Sequence, residues 1–302
     1  MATSNRSTQY LNVYKVLKKV YQPVSPPTDR TVLEHLLFAC CLENAHYEAA
    51  EEAYAAVIHT FFDFNEIRVT TVTELSEVMA NLPDPAAAAN RLKRVLQSVF
   101  EESYSFDLEA YRKKNLGPTV KWLKKVDGTS EFTVSYVVQA ALAGHSIPVN
   151  SGALAVFRIL EIISEKELEA SAAPGLERAI AKAKGVEFGS LLHQLGVDFA
   201  ANPYSPAVRK IILEIDPAAK DRLPKRRVAR KKKPAEEKPT KKKAAKKKAA
   251  KTTKTSKTPK TKKAAESKTS KRKKPAAKTP KAAPKKAKKK SASARISKRK
   301  PR

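Results

Sequence analysis

Apolar residues fall three and four apart along most of the first 222 positions of this chain. That spacing marks one face of an α-helix. From Thr8 to Tyr21 the stripe is Tyr10, Val13, Tyr14, Leu17 and Tyr21. The run QPVSPP at 22–27 ends that helix, because proline lacks an amide donor and restricts the residue before it. Asp29 is the expected N-cap of a second helix to about Glu43. Its run Leu36–Leu42 is apolar all round, as in a central buried helix. A third helix is expected over Ala45–Phe62 with Tyr54, Val57, Ile58 and Phe61 inward. Phe64–Thr71 then reads as a connector, followed by a short helix capped by Thr73 with Glu77 close to a capping-box position. Asp84 with Pro85 at the first helical position starts a long helix to about Glu102. Leu92, Val95, Leu96 and Val99 form its inner stripe, and Arg91, Lys93 and Arg94 its solvated face.

Asp107 is the expected cap of a helix to about Asn115, and LGPTVKWLKKV forms another ending at Val126. The turn Asp127–Gly128–Thr129–Ser130 leads into a nearly all-apolar helix over Glu131–Ala143, closed by Gly144. Asn150–Ser151–Gly152 caps a helix over Ala153–Ser164, and further helices fit 165–171, 174–183, 187–200 and 206–215. No segment sustains strand alternation. The pattern predicts an all-α body in two lobes, one over 28–146 and one joining 1–27 to 147–222, followed by a tail over 223–302.

Charge separates the tail from the body. Residues 223–302 hold 37 of the 61 Lys and Arg but only 3 of the 30 Asp and Glu, leaving the body with 24 cations and 27 anions. The tail has no aromatic residue and no glycine. It is Lys, Ala, Pro, Thr and Ser, a composition that cannot bury enough apolar area to order itself, so disorder is expected. Its lysine clusters, Lys241, Lys242, Lys243, Lys246, Lys247, Lys248, Lys288, Lys289 and Lys290, suit neutralisation of a phosphate backbone. Without aromatics, base stacking is disfavoured. Duplex DNA is the expected partner, with RNA or the ribosome as the alternative. A membrane surface is disfavoured, since apolar anchors are lacking. The two cysteines, Cys40 and Cys41, are adjacent in an apolar run, where they read as buried hydrophobes. They are too few for a structural zinc or an iron–sulfur cluster, and no cofactor is expected. The five histidines show no metal spacing. The start has no apolar signal core and no run is long enough to span a bilayer, so a cytoplasmic, nucleoid-associated protein is expected.

A helix, a glycine-bearing turn and a second helix have the general form of a hairpin that grips a phosphate backbone. The stretch VDGTSEFTVSYVVQAALAGHSIPVNSGALAVFRIL at 126–160 resembles the helix-hairpin-helix core of the endonuclease III-like DNA glycosylases, whose pattern is roughly LPGVGxKTAxxVxxxAxGxxxxxVDTxxxRVxxRL. LEHLLFACCLENAHYEAAEEAY at 33–54 is similar to that family's first buried helix, and the likeness extends over about residues 8–215. The tail looks like that of a linker histone. The resemblance implies a two-lobed helical glycosylase-like body with backbone contacts at Lys124, Lys125, Val126, Gly128, Thr129 and Ser130.

The departures are chemical. The family's turn keeps only Gly128 here. The lysine that forms a Schiff base in bifunctional members matches Phe132, which has no nucleophile. The catalytic aspartate matches Asn150, which keeps the capping shape and loses the charge that would face a developing cation. The four cluster cysteines are absent from 196–215. Asp127 and Glu131 are expected to repel phosphate at the turn. Glu43 and Asn44 match the neighbourhood from which the family inserts a polar residue into the base gap. These features point to a DNA-binding protein with a catalytically degenerate glycosylase body and a cationic tail, in a repair-accessory or nucleoid role. The alternatives are an active base-excision glycosylase without lyase activity and an RNA- or ribosome-associated basic protein.

Overall fold

The structure, a computed structural model, describes residues 5–225. The described residues form thirteen α-helices and no strand. In chain order these are α1 (Arg6–Val20), α2 (Val32–Leu42), α3 (Tyr47–Thr60), α4 (Phe64–Val69), α5 (Val72–Val78), α6 (Pro85–Ser103) and α7 (Leu116–Leu123). They continue with α8 (Glu131–Ala140), α9 (Ser151–Ile159), α10 (Glu165–Glu169), α11 (Leu176–Ala179), α12 (Lys182–Ala201) and α13 (Pro206–Ile215). The tail lysines from 241 to 290 lie outside the described residues.

Hydrogen-bonding side chains set the helix starts, and they correct several expected ones. Asp29 does not cap α2. Thr31 does, accepting from Glu34 N while Glu34 reaches back to the Thr31 amide. Phe64–Val69 is a helix rather than a connector, because Asp63 accepts from Glu66 N and Ile67 is buried beneath it. The capping box before α5 is Thr71 with Glu74, two residues earlier than Thr73. Asp84 and Pro85 do start α6. The helix expected after Asp107 is only a 3-10 turn over Glu109–Lys113, with Asp107 accepting from Glu109 N. Residues in the left-handed region follow two helices that end earlier than expected, at Ala140 and Ile159. Ala143 (φ 50°) rather than Gly144 turns the chain after α8, and Glu161 (φ 57°) follows α9 three residues short of Ser164. The helix expected over 174–183 is the single turn α11.

Two hydrophobic clusters make the two lobes. One gathers side chains of α2, α3, α5, α6 and α8 around Phe38, Leu92 and Val137. The other gathers α1, α9, α12 and α13 around Tyr10, Phe157 and Leu192, and includes Leu223, the first residue of the expected tail. Side chains such as these add about 1.5–3 kcal/mol each when fully buried. Chain segments 21–31 and 141–150 connect the lobes. His193 Nε2 of α12 donates to Leu42 O at 2.9 Å, and Ser151 Oγ lies 3.0 Å from Asn44 Oδ1. Among the described residues, no helix is long and apolar enough to cross a membrane.

Candidate nucleic-acid interface and interlobe site

The hairpin is α7, the turn 124–130, and α8. Gly128 is held at φ 90°, where a side chain is strained, and a Cβ there would meet Arg91 O at 2.8 Å and Arg94 Cβ at 3.0 Å. The turn is therefore pressed against α6. Its polar groups are largely engaged within the protein. Asp127 N donates to Ser98 Oγ, Thr129 N to Val126 O, and Ser130 N to Thr133 Oγ1 at 2.7 Å. The Thr129 hydroxyl donates to Val126 O and Leu123 O, while Ser130 Oγ caps α8 through Thr133 N. Val126 turns its side chain into the core. Of the expected contacts at the turn, Val126, Thr129 and Ser130 are thus committed to structure. Gly128 faces α6, and Lys125 is exposed.

The acidic residues of the turn are paired. Asp127 does not stand as a bare charge, because Arg94 grips it through Nε–Oδ2 at 2.7 Å and a second contact from Nη2 to Oδ1. The Arg94 guanidinium holds the Asp127 carboxyl below the usual carboxylate range. Glu131 likewise takes Lys124 Nζ, 2.7 Å from both its oxygens. Nor are the three cations of α6 a free solvated face. Arg91 is bound to Glu43 at 2.7 Å and to Cys40 O, and Lys93 holds Arg68 O and Thr70 O at the end of α4. Glu43 is thus an ion-pair partner and Asn44 an interlobe hydrogen-bond partner.

Between the lobes, Phe132 is only 2% exposed. Its ring lies 5.5 Å from the His193 ring and 6.4 Å from that of Tyr136. The pocket beside it is lined by Leu42, Tyr47, Gln139, Pro148, Gly189 and Gln194 among others and has a volume of ~40 Å³. At about 10–15 Å³ per water, that is room for a few waters. Burial pushes the His193 imidazole down to about 4, so it is neutral at pH 7.

Asn150 is 1% exposed and both ends of its amide are used. Oδ1 accepts from Ala153 N at 2.9 Å and caps α9, while Nδ2 donates to His193 O at 3.2 Å. The close approach of α9 to α12 enforces this. A Cβ on Gly152 would overlap the Gly196 carbonyl, and one on Gly196 would overlap Asn150 Oδ1.

No protein-family model matches the sequence, and no curated protein matches it. Solved structures do. A trapped covalent intermediate of endonuclease III with DNA is similar over 74% of this chain and 100% of its own, at 12% identity and a TM-score of 0.51. A non-covalent endonuclease III–DNA complex covers 73% of this chain and 99% of its own, at 12% identity and a TM-score of 0.50. A thermostable thymine-DNA glycosylase is similar over 67% of this chain and 88% of its own, with 16% identity and a TM-score of 0.46.

The body has the endonuclease III fold.

The position that the sequence resemblance matches to the Schiff-base lysine is the buried ring of Phe132, and the one it matches to the aspartate is Asn150, the cap of α9. The iron–sulfur cluster that the resemblance implies does not fit these residues. The chain has only two cysteines, both buried side by side in α2. Among the described residues no group of three or more His, Cys, Asp or Glu is placed to hold a metal ion. The second lobe of this endonuclease III fold instead closes with Arg222, which donates to Ile159 O and pairs with Glu161 and Asp216. The sequence reading missed the roles of Arg94 and His193. Their partners are 33 and 151 residues away in the chain, and no local pattern points to them.

Proposed function

We propose that this protein binds duplex DNA through a glycosylase-like body that has given up base excision, with the lysine-rich segment supplying most of the affinity. The observation that carries the loss of chemistry is the state of Asn150. A residue buried to this degree, with donor and acceptor both engaged against α9 and α12, is a structural staple and has no face left for a reacting sugar or water. Phe132 agrees with this. A base entering the interlobe pocket would have to displace a ring packed against Tyr136 and His193. Support for DNA as the partner is the endonuclease III fold together with the 37 cations of residues 223–302. Such a segment neutralises backbone phosphates and releases counterions, without reading sequence. A repair-accessory or nucleoid role follows from this binding mode.

The test is a salt series on labelled duplex, comparing the whole chain with a chain ending at Lys225. That end point keeps Leu223 and the bond from Arg209 to Pro224 O. The whole chain is expected to bind tightly and to lose affinity with a logarithmic salt slope of about −9 if roughly ten phosphates are contacted. The shortened chain should lose most of both. Equal binding by the two at moderate salt would refute the tail-first account. Preference for structured RNA in competition would favour the RNA alternative. Strand scission after alkali on duplexes with uracil, oxidised or alkylated bases would restore the glycosylase alternative.

A further inference from the structure

Two ion pairs flank the hairpin turn, and they have the same construction. In each, a cation beside the turn is held by an acid of the turn or of the first residue of α8: Arg94 by Asp127, and Lys124 by Glu131. All four side chains are about half exposed, at 49% and 58% in the first pair and 47% and 46% in the second. Ion pairs this open to water are weakly held. A phosphate diester offers a guanidinium the same two-pronged acceptor geometry as a carboxylate, so it competes directly for Arg94.

The surroundings add to this. Arg94 lines a groove of ~350 Å³ along the outer side of α6, with Asn90, Lys93, Gln97, Ser98 and Glu101 on the same helix, Arg68 of α4 and Asp127 of the turn. Lys93 is held by two carbonyl oxygens, and Arg68 donates to Gln97 Oε1 and Asn65 Oδ1. These partners are neutral, so Arg68, Lys93 and Arg94 together leave the groove with three cations against the two acids Glu101 and Asp127. The turn's amides, by contrast, are mostly engaged internally. Side-chain charge, rather than backbone donors, is what this hairpin has to offer an anion.

We propose that the hairpin is a charge-latched phosphate site. Arg94 and Lys124 are its contacts to the DNA backbone, Asp127 and Glu131 hold them back, and Lys93 and Arg68 extend the track along α6. This rests on the duplex-binding proposal above. The latch keeps the body's contribution small, because each carboxylate displaced by a phosphate stays close enough to repel it.

The experiment uses the full chain, in which the tail contribution is common to every variant. Duplex binding is followed by fluorescence anisotropy across a salt series for wild type and for Asp127→Asn with Glu131→Gln. Both changes preserve shape at exposed positions, and a thermal melt of each variant confirms folding. The double variant is expected to bind about tenfold tighter, with a salt slope steeper by about 2 because two more phosphates release counterions. Adding Arg94→Gln and Lys124→Gln should return affinity and slope to the wild-type values or below. Unchanged affinity and slope in the double variant, with the wild type still binding duplex in a salt-dependent way, overturns the latch alone. A gain that survives removal of Arg94 and Lys124 also overturns it, since the two cations would not be the contacts. A wild-type chain that does not bind duplex overturns the latch and the duplex-binding proposal together.

Discussion

Asn150→Asp is the informative substitution, because it places a carboxylate at the position that the sequence resemblance matches to the family's aspartate. The surroundings in this protein oppose it. Asn150 Nδ2 donates to His193 O at 3.2 Å in a site where the side chain is 1% exposed. A carboxylate there turns that hydrogen bond into two oxygens facing each other, with no counter-charge. Leaving a buried charge uncompensated costs about 3–5 kcal/mol. The other oxygen keeps the Ala153 N cap, and the start of α9 favours a negative charge by about 0.3–1 kcal/mol. The net loss at pH 7 is therefore about 3 kcal/mol, or a fall in Tm of about 6–12 °C for a body of this size. The loss has a pH signature. Burial raises the new carboxyl above its unfolded value of about 3.9. Above that value the folded state binds more protons than the unfolded, so stability falls with rising pH by up to about 1.4 kcal/mol per unit until the folded pKa is passed. Below it the protonated carboxyl donates to His193 O much as the amide does, and the deficit closes. Thermal melts of wild type, Asn150→Asp and Asn150→Ala at several pH values read this directly. The alanine variant should show a deficit that does not vary with pH. Full stability of Asn150→Asp at pH 7, or a deficit that persists unchanged at pH 4, would refute the buried-staple argument. Base excision gained by a fully stable Asn150→Asp would also revive position 150 as a catalytic one.

Two buried imidazoles predict acid sensitivity. Burial pushes both His193 and His35 down to about 4, His35 with help from Arg30 and Arg112. Since the unfolded chain takes up these protons near pH 6.5, stability should fall as pH drops from 6.5 toward 4, and His193→Gln should flatten part of that dependence in denaturant titrations. Gly196→Ala should destabilise by about 1–3 kcal/mol or more in the same assay, because its Cβ would overlap Asn150 Oδ1 and the α9–α12 contact has no room to yield. A neutral effect would mean that the two helices can separate without loss.

Much of the helical order was legible from local pattern. The stripe of α6, its Asp84–Pro85 start and the Asn150 cap all appear in the structure as the spacing implies. Errors gathered where two polar residues compete to cap. Thr31 displaced Asp29 and Thr71 displaced Thr73, because Glu34 and Glu74 complete reciprocal bonds that only one register allows. The Phe64–Val69 helix was missed because six residues are too few to show a period, and burial of Ile67 decides it. At the candidate site, the acids Asp127 and Glu131 were legible in the sequence, but their ion pairs with Arg94 and Lys124 were not, because such partners cannot be seen in a linear pattern.

What the sequence determined alone is whatever depends on near neighbours along the chain or on composition. That covers the all-α character, the glycine-bearing hairpin, the presence of Phe132 and Asn150 in place of ionisable side chains, and the separation of a near-neutral body from a cationic segment. Tertiary structure decided everything that depends on who meets whom across long separations. It brought α6 against the turn, so that Arg94 neutralises Asp127, and it brought α12 against α9, so that Asn150 is sealed beneath Gly196. Hydrogen bonds and charges act over a few ångströms. Whether a side chain is a reagent or a brace is therefore set by packing partners dozens of residues away.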